Sequence, residues 1–255
     1  MVVSTTNKPK NVTATTEPVP AKVLADVTQI PASTFNKVGT GIPNAINPPR
    51  VVKNQPPLRF TGKPGMFAVL GEFCPYCAAE RWAIIASFSR FGSFNGIKTM
   101  QSSTTDIFPG TQTFTFATSH YLSPYFTAKL IEYYGQDHAT GRHFVLRQPT
   151  KTEAKLLRKY DISSTKTKSG TIPFSDFGNQ LLFSGASYSP GPLQGLSRAT
   201  IASQLRDPKS AITKLILGTS NYMSASVCAI TKGKPGSVCQ SSGVQAAASA
   251  LKLKF

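Results

Sequence analysis

Acidic residues are scarce in this chain: 11 Asp and Glu stand against 28 Lys and Arg, a net charge of +17 over 255 residues. An excess of this size fits nucleic acid, an anionic membrane surface or an acidic partner. The charges are scattered, however, and nowhere interleave with aromatic residues as a nucleic-acid groove requires, so no nucleic-acid partner is expected. No run of 18 apolar residues occurs, which leaves no candidate membrane-spanning helix. A signal peptide is also missing from the start, where Met1 leads straight into Val-Val-Ser-Thr-Thr-Asn-Lys-Pro-Lys. No internal repeat, nucleotide-binding loop, haem motif or hydrolytic constellation is evident, and no cofactor is expected. The histidines, His120, His138 and His143, show no ligand spacing with any cysteine, which argues against a metal site.

What remains is enough for a sizeable core: 40% of residues are apolar and 16 are Phe. Residues 1–22 have linker composition, including Thr15-Thr-Glu-Pro-Val-Pro20, and are expected to form a flexible linker or stalk. A polar, Thr/Pro/Lys-rich start of this kind resembles a stalk whose anchor or export signal has been removed, so a membrane anchor upstream is an expectation. Asn11-Val-Thr13 matches a glycosylation sequon. Val23, Leu24, Val27 and Ile30 are spaced for one short helix, and 31–57, rich in Gly, Pro and Asn, reads as loop.

The chemistry concentrates in Met66-Phe-Ala-Val-Leu-Gly-Glu-Phe-Cys-Pro-Tyr-Cys-Ala-Ala-Glu-Arg-Trp-Ala-Ile-Ile85. A buried strand, Met66 to Leu70, is entered through the breakers Gly62, Pro64 and Gly65. A helix then starts at Pro75, a residue suited to a first helical position, and runs to about Phe91 with Gly92 as its stop. Cys74 falls at the helix N-cap, where unpaired backbone N–H groups and the dipole favour thiolate over thiol. Two residues separate it from Cys77, close enough for a reversible bond. A zinc knuckle, an inert structural disulfide and a pair of buried free thiols compete with a redox dithiol. The redox reading is favoured, because the chain continues into a long apolar helix and lacks a second ligand pair. Arg81 falls within the apolar arc of that helix, with Glu72 as its candidate partner; the alternative is that it snorkels to the surface.

Downstream, Ile97–Gln101 and Thr113–Thr118 read as strands, and Ser123–Tyr134 as a helix opened by Ser-Pro and stopped by Gly135. A basic helix at about 150–160 carries Lys151, Lys155, Arg158 and Lys159 on one side, a pattern that fits a solvated face. Thr171–Asp176 and Gln180–Phe183 flank a Gly-Asn turn and form a hairpin, unusual in that Pro173 opens a sheet strand. A helix at about 192–206, a segment over Ala211–Leu217 and a final helix over Gln245–Phe255 complete the chain. Cys228 and Cys239 close a short loop containing Gly233 and Pro235-Gly236. An even cysteine count and a loop built to close favour a structural disulfide, hence an oxidising compartment; a relay pair is the alternative.

A dithiol at a helix start, followed by Ile172-Pro173 opening a hairpin and then by a closing helix, resembles the thioredoxin fold. Pro75-Tyr76 also occurs between the cysteines of glutaredoxins. More closely, Gly71-Glu-Phe-Cys-Pro-Tyr-Cys-Ala-Ala-Glu-Arg-Trp82, Ser89-Arg-Phe-Gly92, Ile172-Pro-Phe-Ser-Asp-Phe-Gly-Asn179 and Val238-Cys239 resemble an uncharacterised prokaryotic, thioredoxin-like family, domain of unknown function nine-two-nine. The resemblance runs from about Val23 to the C-terminus. It implies an α/β thioredoxin-like fold with a cis Pro173 packed beside the dithiol. The expected organisation is a single thioredoxin-like domain over 23–255, with a helical or loop insertion at about 103–150 and an N-terminal extension.

The expected function is extracytoplasmic thiol–disulfide exchange with protein thiols or disulfides and a redox partner. Cys74 would be the attacking thiolate and Cys77 the resolving thiol. Pro173 would shape the groove, and Glu72 or Glu80 would shuttle protons or pair with a neighbouring arginine. The alternative is a non-catalytic envelope or scaffold protein with a thioredoxin-like frame and frozen disulfides; a basic polyanion-binding module comes third. An exported protein facing an anionic envelope would tolerate the net charge.

Overall fold

Nine residues of the chain, Lys63–Gly71, form the strand on which the rest is built. The computed structural model describes residues 16–137, 140–162 and 170–255. The Asn11–Thr13 sequon, most of the expected linker, His138 and the basic stretch beyond 162 lie outside the described residues. In chain order, α1 (Ala21–Thr28) and α2 (Ala32–Val38) precede β1 (Arg50–Val51), β2 (Arg59–Phe60) and β3 (Lys63–Gly71). Next come α3 (Pro75–Phe88), β4 (Ser93–Asn95), β5 (Lys98–Gln101), β6 (Gln112–Thr115) and β7 (His120–Leu122). β8 (Thr127–Gln136) and β9 (His143–Val145) follow, then α4 (Lys151–Leu156), which continues into a π-helical turn, Leu157–Ile162. The chain ends with β10 (Phe174–Phe177), β11 (Leu181–Ser184), α5 (Arg198–Gln204), α6 (Ala211–Ile230), α7 (Gly236–Cys239) and α8 (Ser242–Ala250).

The architecture is mixed α/β. A seven-stranded sheet runs β1-β11-β10-β3-β8-β9, with β2 folded back on the start of β3. β3 and β8 are parallel, and the other pairs are antiparallel. A parallel pair demands a crossover, and α3 supplies it. Side chains alternate along β3. Met66, Ala68 and Leu70 enter a large core shared with α3 and α6, whereas Phe67 and Val69 join Tyr133, Tyr160, Phe174 and Leu182 in a smaller core on the other face. Two small hairpins, β4–β7 and β5–β6, separate α3 from β8. The β5–β6 hairpin closes over α3: Thr113 donates its hydroxyl to the Ala78 carbonyl, and the Trp82 indole N–H donates to the Gln112 carbonyl. Among the described residues, no helix is long and apolar enough to cross a membrane.

Several expectations are corrected. Ser123–Tyr134 is not helical; Thr127–Gln136 is the strand β8. The Ser-Pro signal that suggested a helix cap belongs to a turn. There the Ser123 hydroxyl donates to the Phe91 carbonyl and accepts from the Tyr125 N–H. The segment at about 103–150 is mostly strand and loop, and it contributes β8 to the central sheet rather than standing apart from it. The region 31–57 is not wholly loop, because α2 buries Thr34, Phe35 and Val38 against the core. α3 ends at Phe88 rather than Phe91. Gly92 is required not as a helix stop but because a Cβ there would collide with the Leu122 carbonyl. The segment at Ala211 extends to Ile230, a helix whose buried Thr, Ser and Asn residues broke its apolar pattern.

Candidate active site

The site begins where β3 ends. A register shift against β8 falls between Leu70 and Gly71, and the chain then turns through Glu72 and Phe73. Bulges of this kind re-aim the side chains that follow. Cys74 is the N-cap of α3, with Pro75 at the first helical position, and its Sγ accepts the Cys77 N–H at 3.3 Å. A sulfur therefore does the work usually done by a Ser or Asp oxygen at a helix start. Cys77 lies one turn in, fully buried, and its Sγ accepts the Gly71 N–H at 3.4 Å.

The two thiols are electrostatically unlike. The Cys77 thiol, donating toward the Cys74 sulfur, holds the Cys74 pKa below its ordinary value against the opposing effect of burial. The backbone N–H groups of Cys77 and Tyr76 and the Arg81 charge act in the same direction. Burial, and next its donation to Cys74, push the Cys77 thiol well above its usual range. The pair is therefore asymmetric, one pKa lowered and the other raised.

Beneath them lies a buried ion pair. Arg81 is 0% exposed and grips Glu132 through Nε at 2.9 Å and Nη2 at 2.7 Å. The same Nη2 donates to the Gly71 carbonyl at 2.9 Å. Arg81 therefore neither snorkels nor pairs directly with Glu72; its partner comes from β8. Glu72 accepts instead from the Thr115 hydroxyl at 2.8 Å. Burial, reinforced by Glu132, raises its pKa, while Thr115 and Arg81 pull the other way. Glu80 is also buried, and both its oxygens are held by Ser187, one by the backbone N–H at 3.2 Å and one by the hydroxyl at 2.7 Å. Among the described residues, neither Glu72 nor Glu80 hydrogen-bonds a sulfur.

Ile172–Pro173 is a cis peptide bond and Pro173 is buried. The Ile172 carbonyl oxygen lies 4.0 Å from the Cys74 sulfur, so β10 enters the sheet beside the dithiol. Half-buried rings flank Cys74 in the chain. Phe73 stacks on His143 at 3.7 Å, and Tyr76 meets the edge of Phe108 at 5.7 Å. Sequence reasoning missed Glu132, Thr115 and this aromatic rim. Glu132 could have been sought as an acidic residue inside an apolar stretch, a sign of a buried cation elsewhere.

Far from Cys74 in the chain, Cys228 at the end of α6 is joined to Cys239 in α7, with Cα atoms 5.6 Å apart. Among the described residues, no group of three or more His, Cys, Asp or Glu side chains is arranged to hold a metal ion.

No curated protein and no solved structure matches the chain. A family model does match, over residues 50–229, and so takes in the dithiol, Arg81, Glu132, the cis proline and α6 through Cys228. The chain belongs to the family described as a domain of unknown function (DUF929).

Proposed function

We propose that this chain is a thiol–disulfide exchange protein with a thioredoxin-like fold and that Cys74 and Cys77 are its reacting groups. One observation carries the reading: Cys74 caps the start of α3, its Sγ accepting the Cys77 N–H at 3.3 Å, while Cys77 is fully buried one turn in. Inert structural pairs have no need of that asymmetry. The thioredoxin-like reading draws on the dithiol at the start of α3, the cis Ile172–Pro173 bond beside it, the β10–β11 hairpin and the closing helix α6.

The exchange balances as follows. The Cys74 thiolate attacks one sulfur of a substrate disulfide; the Cys74–substrate bond forms, the substrate S–S bond breaks, and a substrate thiolate leaves. Cys77 then gives up its proton to the first substrate thiolate and attacks the Cys74 sulfur, breaking the Cys74–substrate bond. The Cys74–Cys77 bond forms and the second substrate thiolate departs, so two electrons pass from dithiol to substrate. Run backwards, the same steps oxidise a substrate dithiol. Protein thiols or disulfides are the proposed partners. The compartment is extracytoplasmic, a reading supported by the Cys228–Cys239 bond.

A frozen-scaffold reading draws on a different observation, the 6% exposure of Cys74. Trapping separates the two. Cys77→Ser, lacking the resolving thiol, accumulates mixed disulfides with cysteine-bearing proteins through Cys74, whereas Cys74→Ser accumulates few because Cys77 is fully buried. If Cys77→Ser traps nothing from the native compartment, the scaffold reading replaces exchange.

A further inference from the structure

Arg81 is a costly residue to bury, and Glu132 alone does not account for its orientation. Cys77 and Arg81 stand four residues apart on α3, hence on one face of the helix. Gly71 lies between them, its N–H donating to Cys77 Sγ at 3.4 Å and its carbonyl accepting from Arg81 Nη2 at 2.9 Å. Gly71 therefore anchors both groups, the sulfur through the 70–71 peptide and the guanidinium through the 71–72 peptide, so the cation and Cys77 are held against the same residue. Arg81 Nη1 is buried without a hydrogen-bond partner among the described residues. Glu132 also accepts the Phe116 N–H, which fixes it to the β6 end of the neighbouring hairpin. The titratable groups facing Arg81 are Glu132, Glu72, Cys74 and Cys77.

We infer that Arg81 is a positioning residue whose fixed charge, held one helical turn from Cys77 by Gly71 and balanced by Glu132, sets the redox equilibrium of the Cys74–Cys77 pair. The inference rests on the exchange reading of that pair. Arg81 touches no substrate. Its effect is to stabilise thiolate on the reduced pair, and Glu132 limits that effect to a defined level. Removing Glu132 alone strengthens the cation's field at the sulfurs; removing both charges abolishes it. The two changes therefore move the equilibrium in opposite directions, which a purely structural role would not do.

The test uses the full chain equilibrated in glutathione redox buffers, with Cys74 thiolate formation followed by ultraviolet absorbance. Glu132→Gln lowers the Cys74 pKa and shifts the equilibrium about tenfold toward the dithiol, roughly 30 mV for this two-electron couple. The double variant Arg81→Met/Glu132→Leu replaces the pair with apolar groups, an exchange buried ion pairs often tolerate. It raises the Cys74 pKa and shifts the equilibrium about tenfold toward the disulfide. Should one variant fail to fold, the direction of shift in the other decides. Shifts of the same sign, or no shift in a folded variant, overturn the role of Arg81. A wild-type pair that never equilibrates with glutathione overturns the exchange reading itself.

Discussion

Glu80 shows how far burial alone can move a side chain in this protein. Burial lifts its pKa to about 7 although Ser187 holds both oxygens. Asp176, buried and accepting the Asn179 N–H, is also lifted to about 7 by burial. Both folded values stand above the unfolded ones, so below pH ~4 neither group costs stability. As pH rises toward 7 the unfolded chain ionises first, and stability falls until the folded groups titrate as well. Glu80→Gln removes this cost while keeping its contacts, since the amide can accept from the Ser187 N–H and donate to the Ser187 hydroxyl. The variant is expected to exceed wild type by on the order of 2 kcal/mol at pH 8 and to lose that advantage near pH 4. Thermal melts across this range check it; parallel curves for the two proteins would contradict it. At this scale the cysteines were legible because Cys74, Pro75 and Cys77 announce a helix start within four residues. The Arg81 partner was not. Glu132 is 51 residues away in sequence, and only sheet pairing brings it close.

Among the elements, β8 was the one most hidden in the sequence. Ser123-Pro124, apolar residues at Phe126, Leu130 and Tyr133, and a terminal Gly135 satisfy every local rule for a helix. Tertiary structure reassigns each of them: Ser123 secures a turn, β8 pairs in parallel with β3, and Gly135 lies within the strand, where a Cβ would meet the Phe144 ring at 2.7 Å. α6 was marked only as an unassigned segment over Ala211–Leu217, since Ser220, Asn221 and Ser224 look like surface residues. All three are buried and bonded, Ser220 to the Ala83 carbonyl, Asn221 to the Phe35 and Gly39 carbonyls, and Ser224 to Ser87. By contrast β3, α3 and the β10–β11 hairpin were legible, because breakers and turn residues bound them locally. The Cys228–Cys239 bond ties the end of α6 to α7 across a sequence separation of 11. Replacing both cysteines with Ala is expected to cost about 3 kcal/mol of stability. Denaturant unfolding of the double variant checks this. The midpoint should fall while exchange at Cys74–Cys77 persists; unchanged stability, or lost exchange in a folded variant, would show that the bond has another role.

For the whole molecule, the central sheet brings together pieces that are distant in the chain: the end of β3, the start of α3, Glu132 on β8 and the cis proline before β10. The sequence pointed to three of these through the dithiol and Ile172-Pro173, and it left the fourth unassigned because the crossover between β3 and β8 contains two extra hairpins. Two sulfur pairs with different duties are proposed to coexist in this frame, one reactive at a helix start and one holding α6 to α7. Trp82 makes the difference measurable. It is the one tryptophan of the chain, fully buried, on α3 five residues beyond Cys77. The deciding measurement is the reduction potential of Cys74–Cys77, read from Trp82 emission in graded glutathione buffers. Peptide mapping of the same samples follows Cys228–Cys239. An exchange site predicts that Trp82 emission titrates with a midpoint above about −300 mV while the other bond stays intact. A Cys74–Cys77 bond that resists reductant as long as Cys228–Cys239 does would contradict it.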